Sequence, residues 1–415
     1  MCHLCESTHS SDYIYNPKKG RREFILDSMA TAGGLAAAMS LPGAALANNM
    51  PADEVVRIGY IPITDASSLL VAHGMGFFEE EGLKVEQPTL IRGWSPLIEG
   101  FAAKRFNLVH FLKPIPVWMR YNNQYPVKIT SWAHTNGSGL VVGRHTDINT
   151  FEQLGGKQVA VPYWYSMHNV VLQIALRNAG LEPVIQNQSA ALKPNQVNLQ
   201  IMPPPDMPPA LAARKIDAFI VAEPFNAAGE MLAGGRMLRF TGDIWKHHPC
   251  CVVCMHEEDT EQRQAWSQKV MNAVVKGALY AQENKEEVAK MLSRDGKNKY
   301  LPMREDVILQ AMTLYDEATY GSDPQAIKHA DWDVGRIDFN PWPYPSATEF
   351  IVDKLKETLV GGDKTFLEGL DSKFVADDLV NYDFVKNAMD KHNAWSRVKG
   401  VNPDDPMRRE EVFVL

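Results

Sequence analysis

Between Ile58 and Val221, short β-rich runs alternate with stretches whose apolar residues recur at helical spacing. That alternation restricts the chain to an α/β architecture with largely parallel sheets. The first unit is "IGYIPITDASSLLVAHGMGFFEEEGLKVE", Ile58 to Glu86. Its strand is followed by Thr64, Asp65, Ser67 and Ser68, all favourable helix N-caps, and then by apolar Leu69, Leu70, Ala72, Met75 and Phe78. The spacing predicts a single helix that starts where the strand stops and ends at Gly82, which releases a second strand, "LKVE". The free N–H groups of such a helix point to the strand's end and suit an anion or a carbonyl oxygen. The same unit is also an ordinary βαβ element if nothing binds there.

Thr150 to Leu181 repeats the pattern with a short helix, the strand "KQVAVP" and a helix capped by Ser166. "VNLQIMPPPDMPPALAARKIDAFIVAEPFNAAG" adds a strand, a proline loop, a helix and the buried strand "DAFIVAE". Two such runs, Ile58 to Val142 and Val159 to Val221, predict two lobes with binding loops at the carboxyl ends of their strands. From Glu257 the chain turns helical, and beyond residue 323 it becomes rich in proline and aromatic residues and is expected to wrap the outside. The expected segments are 1–47 as a leader, 52–146 and 248–345 as the two parts of lobe I, 147–247 as lobe II, and 346–415 as an outer extension.

At 415 residues, with 45% hydrophobic and 22% charged residues, the chain has ordinary globular composition for about two domains. The net charge of -8 and the lack of a basic aromatic tract exclude a nucleic-acid partner from the reading. The N-terminal stretch "KKGRREFILDSMATAGGLAAAMSLPGAALA" pairs Arg21 and Arg22 with Phe24 and Ile25, runs on through small apolar residues and ends in Ala45-Leu46-Ala47. It reads as a twin-arginine signal cleaved after Ala47, which places the mature protein in the periplasm. Cleavage would leave Cys250, Cys251 and Cys254, too few for a disulfide-built scaffold.

Three loops set polar or aromatic groups beside Gly or Pro at a strand's end. In "RGWS", Trp94 either presents its indole to a cleft or packs in the core. In "PYWYSMHNVV", Tyr163 precedes a helix whose first turn carries His168, which is solvated, buried with a partner, or faces the other lobe. In "AEPFN", Glu223 ends a buried strand, where a carboxylate must be hydrogen-bonded or face a cleft. "HHPCCVVC" admits a core strand, a metal site or a disulfide; in a regular strand Cys250 and Cys254 share one face and Cys251 takes the other.

In order, "GYIPITDASSLLVAHGMGFFEEEGL", "GW", "KPIPVWMRY", "TNGSGLVV", "GGKQVAVPYWYSMHNVVLQIALRNAGL", "IMPPPDMPPALAARKIDAFIVAEPFNA" and "WKHHPCCVV" resemble a family. It is that of the periplasmic substrate-binding proteins of nitrate, bicarbonate, sulfonate and taurine ABC importers, which also includes binders of thiamine pyrimidine precursors. The resemblance spans Arg57 to Ala289. It implies two α/β lobes joined by hinge strands near Gly143 to Thr150 and Trp245 to Val252, a helical C-terminal extension, and capture of a small polar or anionic ligand without chemistry on it. Its implied partners are that ligand and an importer's permease and ATPase, with a monomeric protein, no cofactor and no metal. Carried over by residue, Trp94 and His168 match the family's Trp and His, whereas its Gln falls on Ser138 and its charged position on Cys251. With Asp65, Ser67, Tyr163 and Glu223, these form the expected ligand set. The alternatives are a metal-dependent enzyme of pyrimidine-synthesis type and a sensory ligand-binding module working without a transporter.

Overall fold

The computed structural model describes residues 55–415 apart from 323 and 403, so the leader expected over residues 1–47 lies outside the described residues. Two open sheets carry the architecture. The five-stranded sheet runs in the order Thr89–Leu90, Ile58–Tyr60, Leu108–Leu112, Cys251–His256, Val127–Trp132. Its first three strands are parallel, and Cys251–His256 is inserted antiparallel between its neighbours. The six-stranded sheet runs Glu182–Val184, Gln196–Ile201, Gln158–Val161, Ala218–Ala222, Ser138–Gly143, Gly235–Phe240. Here the first four are parallel and Ser138–Gly143 is antiparallel to both of its neighbours. Among the described residues no helix is long and apolar enough to cross a membrane.

The chain passes between the sheets twice, once from Trp132 to Ser138 and once from Phe240 to Cys251. The first passage comes earlier than the Gly143 to Thr150 hinge expected from sequence, because "SGLVVG" belongs to the second sheet and not to the first. The second overlaps the expected Trp245 to Val252 region but begins earlier, at Phe240. The two passages lie side by side: Thr135 bridges to Pro249, and the Asn136 N–H donates to the His248 carbonyl at 2.9 Å.

Local sequence explains the elements that frame these passages. Ser166 caps helix Met167–Asn178, its hydroxyl accepting from the Asn169 N–H at 3.0 Å, as its position before the apolar run requires. The helix expected from Ser67 to Gly82 is broken in two. It opens with a 3-10 turn at Thr64–Ala66, continues as Ser67–Gly74, and is interrupted at Gly76, whose φ of 75° is left-handed, before Phe77–Glu80. The Ser67–Gly74 helix is covered by the long helix Gln264–Glu283, and Gly277 permits the crossing: a Cβ there would meet the Ser68 carbonyl oxygen at 2.3 Å.

The C-terminal extension touches both lobes. Arg120 pairs with Asp378 at 2.5 and 2.8 Å on the side of the five-stranded sheet, while Asn169 and Gln173 donate to the Leu359 carbonyl at 3.1 and 2.7 Å beside the six-stranded one. The last residues cross the second passage, with Val414 N–H donating to Ile244 O at 2.8 Å and the Trp245 indole to Glu411 at 2.7 Å.

Candidate functional site

Polar side chains from both lobes meet where the two passages lie together. Asp65 enters from the 3-10 turn after strand Ile58–Tyr60, His134 from the first passage, and Cys250 and Cys251 from the end of the second; all four are fully buried. His134 Nε2 lies 2.8 Å from Asp65 Oδ2, and the Cys251 thiol donates to the same oxygen at 3.2 Å. The Cys251 N–H approaches His134 Nε2 at 3.2 Å as well. That nitrogen offers either one hydrogen or one lone pair, so the shorter Asp65 contact takes it. On the other side, Ser138 Oγ is 2.9 Å from His168 Nε2 and 3.5 Å from Cys250 Sγ, which is itself 3.8 Å from His168 Nε2.

The electrostatics follow from burial set against these contacts. Burial pushes the Asp65 carboxyl up, more than neighbouring His134 pulls it down. Burial would lower His134, but the adjacent Asp65 outweighs it and carries the imidazole up to about 10. The raised imidazole governs this pair, because a hydrogen-bonded carboxylate at 2.8 Å favours its charged form. Burial also raises the Cys250 thiol, but hydrogen bonding with Cys251 and the nearby His168 and His134 hold it well below the ordinary thiol value. Cys251 goes the other way, raised by burial, by Cys250 and by Asp65. The two adjacent thiols therefore have opposite characters.

The expected residues divide between this cluster and other places. Asp65, Ser138, His168 and Cys251 are brought together. Trp94, 3% exposed, stands edge-on to His110 with ring centroids 5.7 Å apart, and its indole N–H has no hydrogen-bond partner. His110 in turn accepts from the Ile61 N–H at 3.0 Å, and burial lowers it to about 3. Tyr163 crosses between lobes, its hydroxyl interacting with Ser95 at the start of helix Trp94–Ala102. Ser67 turns to its own backbone, donating to the Thr64 carbonyl at 2.5 Å. Glu223 has both carboxylate oxygens engaged within the protein, Oε1 by Arg336 at 2.7 Å and Oε2 by the Ala227 N–H at 3.1 Å. Its carbonyl, not its carboxylate, faces the other lobe, accepting from Thr64.

Sequence reading passed over His134, His110 and Lys113, and weighed Cys250 only within the His-Cys stretch and not as part of the ligand set. Lys113 follows strand Leu108–Leu112 and is fully buried; its ammonium nitrogen has no hydrogen-bond partner, lies 5.0 Å from the Trp132 ring, and is held well below its usual value by burial. The available signal was positional, since His134 and Lys113 each sit just past the end of a strand, where ligand loops gather. The arrangement offers donors of both signs in a dry setting and suits a small polar or anionic group.

A profile of the NMT1-like family matches residues 49–293. The nitrate/nitrite binding protein NrtA of Nostoc sp. is 28% identical over 260 residues, covering 60% of this chain and 59% of that protein. The nitrate import ATP-binding protein NrtC of Synechocystis sp. is 25% identical over 311 residues, covering 72% and 45% respectively, so the chain spans less than two thirds of the length of either relative. In three dimensions the crystal structure of the periplasmic nitrate-binding protein NrtA from Synechocystis PCC 6803 superposes with a TM-score of 0.71 at 20% identity, covering 88% of this chain and 95% of that one. At that TM-score the two share the fold. With the profile spanning more than half of its length, the chain belongs to the NMT1-like family.

Proposed function

We propose that this protein is the extracytoplasmic solute-binding component of an ABC-type importer, closing its two lobes on a small polar or anionic ligand and performing no chemistry on it. The observation that carries the reading is the meeting of Asp65, His134, Ser138, His168 and the two cysteines at the double passage, with groups contributed from both lobes and from both passages. Its likeness to nitrate-binding relatives supports the same class of ligand. Ser138 and Cys251 occupy positions where those relatives are expected to carry other chemistry, which favours a ligand held by imidazoles and hydroxyls over one held by a lysine. Trp94 and Tyr163 complete the proposed set, and the protein works as a monomer with a permease and its ATPase. The leader, with Arg21-Arg22 and Ala45-Leu46-Ala47, directs twin-arginine export to the periplasm; replacing both arginines with lysine should strand the precursor in the cytoplasm.

Thermal unfolding of the mature protein in the presence of nitrate, nitrite, cyanate, bicarbonate, sulfonates and pyrimidines tests the reading. A true ligand at 100 times its dissociation constant adds about 2.7 kcal/mol. Stabilisation by one chemical class supports the proposal; a folded protein that responds to none of them removes it.

A further inference from the structure

We propose that Asp65, His134, Cys250 and Cys251 hold one divalent transition-metal ion of the zinc or ferrous class at the double passage. Each residue offers one donor atom, and the four donors lie within 4.8 Å of one another. Metal–ligand bonds of about 2.0 to 2.3 Å in a tetrahedron put donors roughly 3.2 to 3.8 Å apart, so adjustments of well under an ångström at each side chain seat the ion. Two contacts are already near that spacing, 2.8 Å between Asp65 and His134 and 3.2 Å between Asp65 and Cys251.

The donor set selects the metal. Two sulfurs, an imidazole and a carboxylate are too soft for Mg2+ or Ca2+ and match Zn2+ or Fe2+. The buried inventory also points to a missing partner, since Asp65 Oδ1 makes no hydrogen bond although the residue is fully buried. A divalent cation would offset two of the three negative charges of the carboxylate and the two thiolates, whereas the hydrogen bonds present engage only one carboxylate oxygen. On binding, two metal–sulfur bonds, one metal–nitrogen bond and one metal–oxygen bond form, and the protons still carried by the sulfurs and by the coordinating nitrogen of His134 leave to the buffer.

The convergence comes from the fold and not from a sequence motif. Strand Cys251–His256 begins at Cys251, so Cys250 belongs to the passage before it and escapes the strand's alternation of faces; both sulfurs reach the cluster. Cys254, within the strand, does not join it. The ion rests on the solute-binding reading, since it takes four of that site's residues and leaves Ser138 and His168 to the solute; the cobalt spectrum reads the ion alone, and the unfolding screen reads the solute.

The test is anaerobic titration of the chelator-stripped mature protein with Co2+, read by absorption, together with Cys250→Ser, Cys251→Ser and Asp65→Asn variants checked by circular dichroism. One Co2+ per chain, with intense near-ultraviolet sulfur-to-cobalt bands and tetrahedral visible bands, is expected. Each Cys variant should lose about half or more of the near-ultraviolet intensity, and Asp65→Asn should weaken affinity at least tenfold. If the variants do not fold, the wild-type spectrum decides alone: sulfur-to-cobalt bands support the site, and their absence overturns it. Folded Cys variants that bind Co2+ with an unchanged spectrum overturn it as well.

Discussion

Thr64 of one lobe donates twice to the Glu223 carbonyl of the other, from its N–H at 2.9 Å and from its hydroxyl at 3.1 Å. Both residues stand just past the carboxyl ends of strands in their own sheets, so this single oxygen joins the two loop systems where a ligand would enter. In the conformation described, the lobes are joined in part by a contact that needs no ligand.

Replacing Thr64 with Val removes the hydroxyl and keeps the shape and the N–H. Closure should weaken by roughly 0.5–1.5 kcal/mol, the net worth of one hydrogen bond. Small-angle scattering should show a larger radius of gyration for the variant without ligand and an unchanged melting profile; an unchanged radius would assign closure to the C-terminal extension.

His168 is buried yet faces the double passage, with Ser138 Oγ at 2.9 Å and Cys250 Sγ at 3.8 Å. His168→Ala leaves helix Met167–Asn178 its Ser166 cap, so the fold should survive. Calorimetric titration with the ligand found in the unfolding screen should show binding weaker by roughly 1–3 kcal/mol. Undiminished affinity would place the ligand elsewhere in the cleft.

Arg336 is fully buried and bonds Glu223 at 2.7 Å, Glu230 at 2.9 Å and the Tyr320 hydroxyl at 2.8 Å. Arg336→Met strands the Glu223 carboxylate in the interior and should cost roughly 3–5 kcal/mol in denaturant unfolding. The double variant with Glu223→Gln should recover part of that loss. If it recovers none, the arginine's contribution is packing and not charge pairing.

His256 stacks on Phe101 with ring centroids 4.0 Å apart, and its Nε2 lies 2.9 Å from the Phe106 carbonyl. Burial lowers this imidazole to about 4. Between pH 6.5 and about 4 the unfolded chain binds a proton that the folded one does not, so stability present above pH 6.5 is lost as the pH falls through that window. Buried His110, lowered to about 3, adds to the loss with the same sign. Denaturant midpoints measured from pH 7 to 4 should decline, and His256→Gln should flatten the decline; a slope unchanged in the variant would assign it to other groups.

What depends on neighbours along the chain was legible before any folding. The change of hydrophobic period marks strands and helices, Ser166 marks a helix start, and the repeated βα pattern implies two lobes, because backbone hydrogen bonding and one-sided burial act over a few residues. The same local reading put Asp65 just past the first strand and His168 in the first turn of a helix, where both stand, whereas Ser138 entered only through the family resemblance. It failed where pairing is long-range. Nothing near Glu223 announces Arg336, its partner 113 residues away. Alternation along an assumed strand set Cys250 and Cys251 on opposite faces, whereas the strand begins one residue later and both turn to Asp65 and His134. Which polar side chains share the interior was decided by the two passages between the sheets, since only the packed lobes bring residues 65, 134, 168 and 250 within reach of one another.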